Sequence, residues 1–254
     1  MSNILAIDSG NSYVKWGLFS GNQWIKQGSV FYDEVLTLNN EFLNFPTPTS
    51  IIISHVARSE TKDHITKLIS QWPTKPQWLV SNNFRCNVMN GYSNPNQLGS
   101  DRWAALIAAW KIEKHACLVI NAGSAVTIDV LSKSGKFLGG IILPGIDLMV
   151  KSLLLGTQLT KIDSASYQDF PVSTDSAIQS GMIHSIIGAS ERMYNLLLSN
   201  ENLRSVNCII SGGSISLLMP YFKFPIKVVN RLVLEGLIII ALDSETNTEL
   251  QFSI

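Results

Sequence analysis

Cysteine is scarce in this chain and poorly placed for cross-linking. Cys86, Cys117 and Cys208 are the only three in 254 residues and lie far apart, which argues against a disulfide framework or a zinc cluster and leaves ordinary buried thiols. Neither sign of charge is in excess: Lys plus Arg and Asp plus Glu both total 19. No global field therefore draws the protein toward nucleic acid or anionic lipid, and phosphate binding must be local. Long apolar runs are also missing. Asp8 interrupts the N-terminal one, and residues 237–242 fall far short of the roughly 20 that span a bilayer. The expected location is cytoplasmic, with neither nucleic acid nor membrane as partner. The four histidines, His55, His64, His115 and His184, show no metal-ligand spacing, and no low-complexity tract or flexible linker interrupts the chain.

What the chain does have is apolar residues, 46% against 15% charged. That composition describes a compact protein whose surplus apolar surface suits a subunit interface. Its length suits two domains of about 120 residues each.

One stretch organises the rest. Leu5-Ala6-Ile7-Asp8-Ser9-Gly10-Asn11-Ser12 runs an apolar strand into a carboxylate, a small residue and a glycine, and Tyr13-Val14-Lys15-Trp16-Gly17-Leu18-Phe19 leaves as a second strand. Such a hairpin ends in backbone N–H groups that suit a phosphate. Gly10 removes the side chain that would block close approach, and Asp8 can hold the metal that accompanies phosphate oxygens. An ordinary hairpin with a turn aspartate is the plain alternative. The pattern returns 113 residues later as Leu118-Val119-Ile120-Asn121-Ala122-Gly123-Ser124-Ala125. Two such turns on two similar halves suggest a nucleotide held between them.

Between these marks the reading is β-β-β-α-β-α-β, an α/β layer fold. Residues 23–32 form a third strand, 33–45 a short helix, 50–55 a buried strand, and Ser59 caps a helix ending at Trp72-Pro73. A short strand covers 77–80, and residues 82–97 are a loop rich in Asn, Pro, Ser and Gly. That loop feeds a helix whose Trp103, Leu106, Ile107 and Trp110 follow i, i+3, i+4, i+7; Trp103 and Trp110 are read as core. The second half repeats the plan: strands at 117–120, 126–131 and 137–143, a helix from Pro144-Gly145 to Gly156, and a long helix after Ser173-Thr174. A strand at 206–210, a Gly212-Gly213 turn and a last helix at 231–242 follow. The domains are expected at 1–115 and 116–254.

Taken together, Asp8 to Ser12, Gly99-Ser100-Asp101-Arg102-Trp103, Gly123-Ser124-Ala125 and Gly139-Gly140-Ile141-Ile142-Leu143-Pro144-Gly145 resemble type III pantothenate kinases. Thr174 with Ala177-Ile178, Gly181, Gly212-Gly213 and Leu234-Glu235-Gly236-Leu237 extend the resemblance over nearly the full chain. It implies an α/β fold of two tandem actin-like (ribonuclease H-like) domains with mixed sheets flanked by helices. The implied activity is ATP-dependent phosphorylation of pantothenate to 4′-phosphopantothenate, the first step of coenzyme A biosynthesis, by a homodimer using Mg²⁺ and a monovalent cation, K⁺ or NH₄⁺. By the resemblance, Asp8 (with magnesium), Ser9, Gly10, Asn11, Ser12, Tyr13, Val14 and Lys15 cradle ATP and Ser124 touches it. Tyr92, Gly99, Ser100, Asp101, Arg102 and Thr174 hold pantothenate, and Asp101 is the general base.

Each assignment has a plain counterpart. Asp101 stands where a helix-capping carboxylate belongs, and both roles can hold at once. Arg102 is a cation at a helix N-terminus, which electrostatics disfavours and carboxylate binding explains. Thr174 can be a cap. Asn121 occupies the turn position where the family usually carries the Asp that helps bind the monovalent cation; its amide oxygen can still ligate one but brings no charge. Two rival functions remain: a non-catalytic nucleotide-binding regulatory protein of this fold, and a kinase of another small hydroxy acid.

Overall fold

The computed structural model describes residues 2–251. It begins with an antiparallel meander, β1 (Asn3–Ser9), β2 (Tyr13–Ser20) and β3 (Gln23–Phe31). A 3₁₀ turn and a one-turn α1 (Asn39–Phe42) lead to β4 (Ser50–His55), α2 (Ser59–Ile69) and β5 (Pro76–Trp78). β4 runs parallel to β1, and β5 parallel to β4. The sheet order is β3-β2-β1-β4-β5.

Ile4 to Ile7 of β1 and Ile51 to Ile53 of β4 are all buried. Such runs do not alternate because helices cover both faces of the sheet. On one face Leu5, Ile7, Ile51 and Ile53 pack with Phe42 of α1 and with Ile65, Leu68 and Ile69 of α2.

A two-stranded hairpin follows, β6 (Phe84–Arg85) and β7 (Val88–Met89), and then α3 (Ser100–Glu113), which stops at the left-handed Lys114. The second half opens with β8 (Cys117–Ala122), β9 (Ala125–Leu131) and β10 (Phe137–Pro144), and continues through α4 (Ile146–Gly156) and α5 (Thr174–Glu201). It closes with β11 (Asn207–Ser211), the short α6 (Ile215–Leu218), β12 (Ile226–Val228) and α7 (Leu232–Gln251). Its sheet, β10-β9-β8-β11-β12, reproduces the order of the first, with an antiparallel hairpin and two parallel strands in the same places. The repeat expected from the two Gly-bearing turns is thus a repeat of topology. Leu118, Ile120, Val126 and Ile128 form the second core with Ile183, Ile186, Tyr194 and Leu197 of α5.

By its contacts the described chain forms two compact units, residues 2–114 with 135–137 and 231–251, and residues 115–134 with 138–230. A division in chain order after residue 115 leaves α7 with the second half; its packing belongs to the first. α7 lies so close to α3 that a Cβ on Gly236 would sit 1.9 Å from the Ala104 carbonyl oxygen. This also explains why α3 departs from a one-sided helix. Trp103 to Ala109 are all buried, because β4 lies on one side and α7 on another. Trp103 is core as expected.

Other local differences have local causes. α2 starts at Ser59 itself, follows an extended Arg58 without a side-chain cap, and ends at Ile69. Residues 82–97 contain the β6–β7 hairpin because Cys86 and Asn87 both adopt positive φ, the conformation of a two-residue hairpin turn. No disulfide joins the three cysteines; Cys117 and Cys208 are buried as expected, and Cys86 is half-buried. Among the described residues no helix is long and apolar enough to cross a membrane.

Candidate active site

β1 delivers Asp8 to the end of the first sheet, where its neighbour across the hairpin is Lys15. The Lys15 Nζ lies 3.9 Å from the Asp8 carboxylate, a loose pair, while the Asp8 side chain is only 8% exposed. Burial pushes the Asp8 carboxyl up to about 6; Lys15 opposes this and the negative charge of Asp101 adds to it. A buried carboxylate raised in this way is short of positive charge.

The turn after Asp8 is tighter than the sequence suggests. Gly10 N–H donates to the Tyr13 carbonyl at 3.1 Å, so this amide is used inside the turn and is not the one offered to an anion. A Cβ on Gly10 would stand 3.3 Å from that same oxygen, which is the close approach the glycine permits. Asn11 occupies the exposed tip. Tyr13 stacks on Phe31 with ring centroids 4.6 Å apart, and Val14 is fully buried in the core, so its side chain has a packing role. Ser9 is buried as well, and its Oγ is 2.9 Å from His55 Nδ1. Burial, with the charge of Lys62, holds His55 below its ordinary pKa.

α3 delivers the second carboxylate to the same unit. Gly99 is the extended N-cap residue, and Asp101, inside the first turn, accepts a hydrogen bond from the Arg102 backbone N–H at 2.8 Å on Oδ1. Asp101 therefore does serve the helix N-terminus, though from within the helix and not from the cap position. Burial raises its pKa, opposed chiefly by that backbone bond and the Arg102 charge. Gly99 has no Cβ to compete for this space: one would sit 2.7 Å from Asp101 Oδ1. The Ser100 hydroxyl is engaged with Ser54 Oγ at 2.9 Å and accepts from His55 N–H at 3.2 Å, so in this structure it ties α3 to β4.

Arg102 and Tyr92 are brought together. The buried Arg102 guanidinium donates to Tyr92 Oη at 2.8 Å and lies 5.8 Å from the Tyr92 ring centroid. Phe137, which arrives from the start of β10, completes the cluster, 5.7 Å from the guanidinium and stacked on Tyr92 at 5.6 Å. Asn90 holds the loop, accepting from Tyr92 N–H at 3.0 Å. Sequence reasoning missed His55, Asn90 and Phe137. His55 was legible as the end of a buried strand, but nothing local ties Phe137 to Arg102.

The family model of type III pantothenate kinases matches residues 4–196. A type III pantothenate kinase of Nitrosospira multiformis is 44% identical over 244 residues, covering 96% of this chain and 93% of the relative. One from Nitrosomonas eutropha is 45% identical over 244 residues, covering 94% and 95%. This chain belongs to the type III pantothenate kinase family. At the level of fold it is similar to MreB 5 of Spiroplasma citri, with a TM-score of 0.53 at 10% identity, covering 99% of each chain. The doubled sheet flanked by helices is the actin-like architecture expected from the sequence.

Ser12, half-buried in the first turn, accepts from Tyr32 N–H at 3.1 Å through its carbonyl, whereas Asn121, Ser124 and Thr174 lie in the second unit. Its hairpin turn closes on three residues, Gly123 to Ala125, where the first closes on four, Gly10 to Tyr13. Gly123 N–H donates to the Ala125 carbonyl at 3.1 Å, and Ser124 O accepts from Gly145 N–H at 2.9 Å. Gly145 and Gly212 both crowd this turn; a Cβ on either would fall 2.3 Å from a backbone oxygen, of Gly123 and Ala122 respectively. Asn121 pairs across β9 with Thr127 and stands level with Ser211 of β11, half-buried. Thr174 is the exposed first residue of α5; the cap is Ser173, whose Oγ accepts from Ser176 N–H.

A kinase family uses ATP and a divalent metal. Among the described residues no group of three or more His, Cys, Asp or Glu can hold a metal ion. Metals that travel with nucleotide are held by one or two carboxylates plus the phosphates themselves. Asp8, buried, raised by its surroundings and close enough to feel Asp101, fits that pattern.

Proposed function

We propose that this protein transfers the γ-phosphoryl group of ATP to the hydroxyl of pantothenate, giving 4′-phosphopantothenate and ADP, the first step of coenzyme A biosynthesis. The observation that carries the reading is the placing of two raised carboxylates, Asp8 and Asp101, in one unit with the Arg102–Tyr92 pair beside the second. Membership of the kinase family supplies the substrate class.

In this reading Asp8 would hold Mg²⁺, which when bound neutralises charge on the nucleotide phosphates. The turn from Ser9 to Tyr13 and the Lys15 ammonium receive the phosphates, with Val14 fixing the turn from the core. Ser124 touches the nucleotide, and Asn121 offers an amide oxygen to K⁺ or NH₄⁺. Arg102 binds the pantothenate carboxylate, Tyr92 holds the guanidinium in place, and Gly99, Ser100 and Thr174 complete the substrate contacts. Asp101 accepts the hydroxyl proton as the new bond to phosphorus forms and ADP leaves. Its raised pKa moves it closer to the working pH, where a base is most effective. The protein works as a homodimer in the cytoplasm.

A coupled assay of ADP release with ATP, Mg²⁺, K⁺ and pantothenate tests this. No release at high enzyme concentration favours a nucleotide-binding regulatory role instead, and competition by related hydroxy acids tests the choice of substrate. Asp101→Asn keeps an acceptor for the Arg102 N–H and so keeps the fold, and lowers kcat by about 10²-fold or more. Full turnover in that variant removes Asp101 as the base.

A further inference from the structure

β4 lies level with the first carboxylate strand, Asp8 beside Ser54 and Ser9 beside His55. Past its end, Val56 N–H donates to the Ser9 carbonyl at 3.0 Å. The His55 ring reaches the residue after Asp8, with Nδ1 2.9 Å from Ser9 Oγ, and the His55 backbone N–H reaches the residue before Asp101, donating to Ser100 Oγ at 3.2 Å. The ring itself is wedged edge-on against Trp78, with centroids 5.8 Å apart at 84°. One residue therefore bonds to both elements that carry the acidic groups.

We propose that His55 is a positioning residue for phosphoryl transfer: its imidazole fixes the Ser9 hydroxyl at the start of the phosphate turn, and its backbone anchors the first turn of α3, so that it sets the placement of Asp8 relative to Asp101. This rests on the reading that those carboxylates form the kinase site. His55 bonds neither carboxylate directly and acts only through Ser9 and Ser100. Ser9 accordingly faces His55 with its side chain and serves the nucleotide through its backbone. Phosphoryl transfer depends on placement to within an ångström or less, so loss of a single half-buried bond here is felt mainly in turnover.

The test is a set of three variants, His55→Leu, His55→Asn and His55→Gln, in the full chain. Asparagine places a polar atom where Nδ1 stands; glutamine places its polar atoms near Nε2 and leaves Ser9 without that partner. Leucine and glutamine lower kcat about tenfold and weaken MgATP binding, measured by calorimetry, while KM for pantothenate stays within twofold. Asparagine recovers most of both losses, and Ser9→Ala combined with His55→Leu is no worse than either alone. Leucine behaving like the parent, or all three variants failing alike, overturns the proposal. Absence of pantothenate-dependent ADP release from the parent defeats the underlying kinase reading instead, and the MgATP calorimetry series then still decides the role of His55 on its own.

Discussion

Asp8→Asn separates what the fold wants from what the proposed metal site needs. Asp8 carries a carboxyl raised from 3.8 to about 6 in the folded protein, because burial outweighs the help of Lys15 at 3.9 Å. A shift of roughly two pH units is worth about 3 kcal/mol, by which the folded state disfavours the ionised form. Since the folded pKa lies above the unfolded one, that penalty is absent below about pH 4, grows between 4 and 6, and is complete above 6. Asparagine removes the charge but keeps a buried amide with its own desolvation cost, so the net gain is about 1–2 kcal/mol at pH 8. Urea unfolding of parent and variant at pH 8 and pH 4 measures this. The variant should be more stable at pH 8 but less stable than the parent by about 0.5–1.5 kcal/mol at pH 4, where the amide cost remains and the charge penalty has gone; it should be unchanged in m-value and unable to bind MgATP. A variant no more stable at pH 8 than the parent, or a difference independent of pH, would refute the picture of a metal site held open against the fold's own preference.

Two further substitutions test glycines whose added Cβ would clash with a neighbour, one a flexible side chain and one rigid backbone. Gly99→Ala fits the backbone, since φ −55° and ψ 135° admit any residue, but its Cβ falls 2.7 Å from Asp101 Oδ1 and the next atom is 3.8 Å away. The flexible carboxylate must move, so kcat drops about tenfold or more while the melting temperature changes by only a few degrees. A parent-like kcat contradicts the account of Gly99. Gly236→Ala meets rigid backbone instead, 1.9 Å from the Ala104 oxygen. α7 must separate from α3, at a cost of about 1–3 kcal/mol or more, read by urea unfolding; an unchanged midpoint shows that the helices do not pack this closely.

The strands and turns were legible where local chemistry constrains the chain. An apolar run ending in Asp8-Ser9-Gly10 reads as strand and turn in any context, and its echo at Asn121-Ala122-Gly123 predicted the doubled sheet. Element boundaries were less legible. The hairpin at Cys86-Asn87 carries no glycine to announce it, and Ser59 begins a helix instead of capping it. The Gly10 and Gly123 amides are used to close their own turns, which the residue order did not announce.

What the order of residues determined alone is the pair of turns, the strands leading into them and the family to which they belong, because strand periodicity and turn chemistry act over a few residues. What only the tertiary structure decided is which distant groups become neighbours: His55 between Ser9 and Ser100, Phe137 against Arg102, and α7 returning to α3. Those pairings arise from packing across tens to more than a hundred residues, where shape and burial choose the neighbour and no local pattern records the choice.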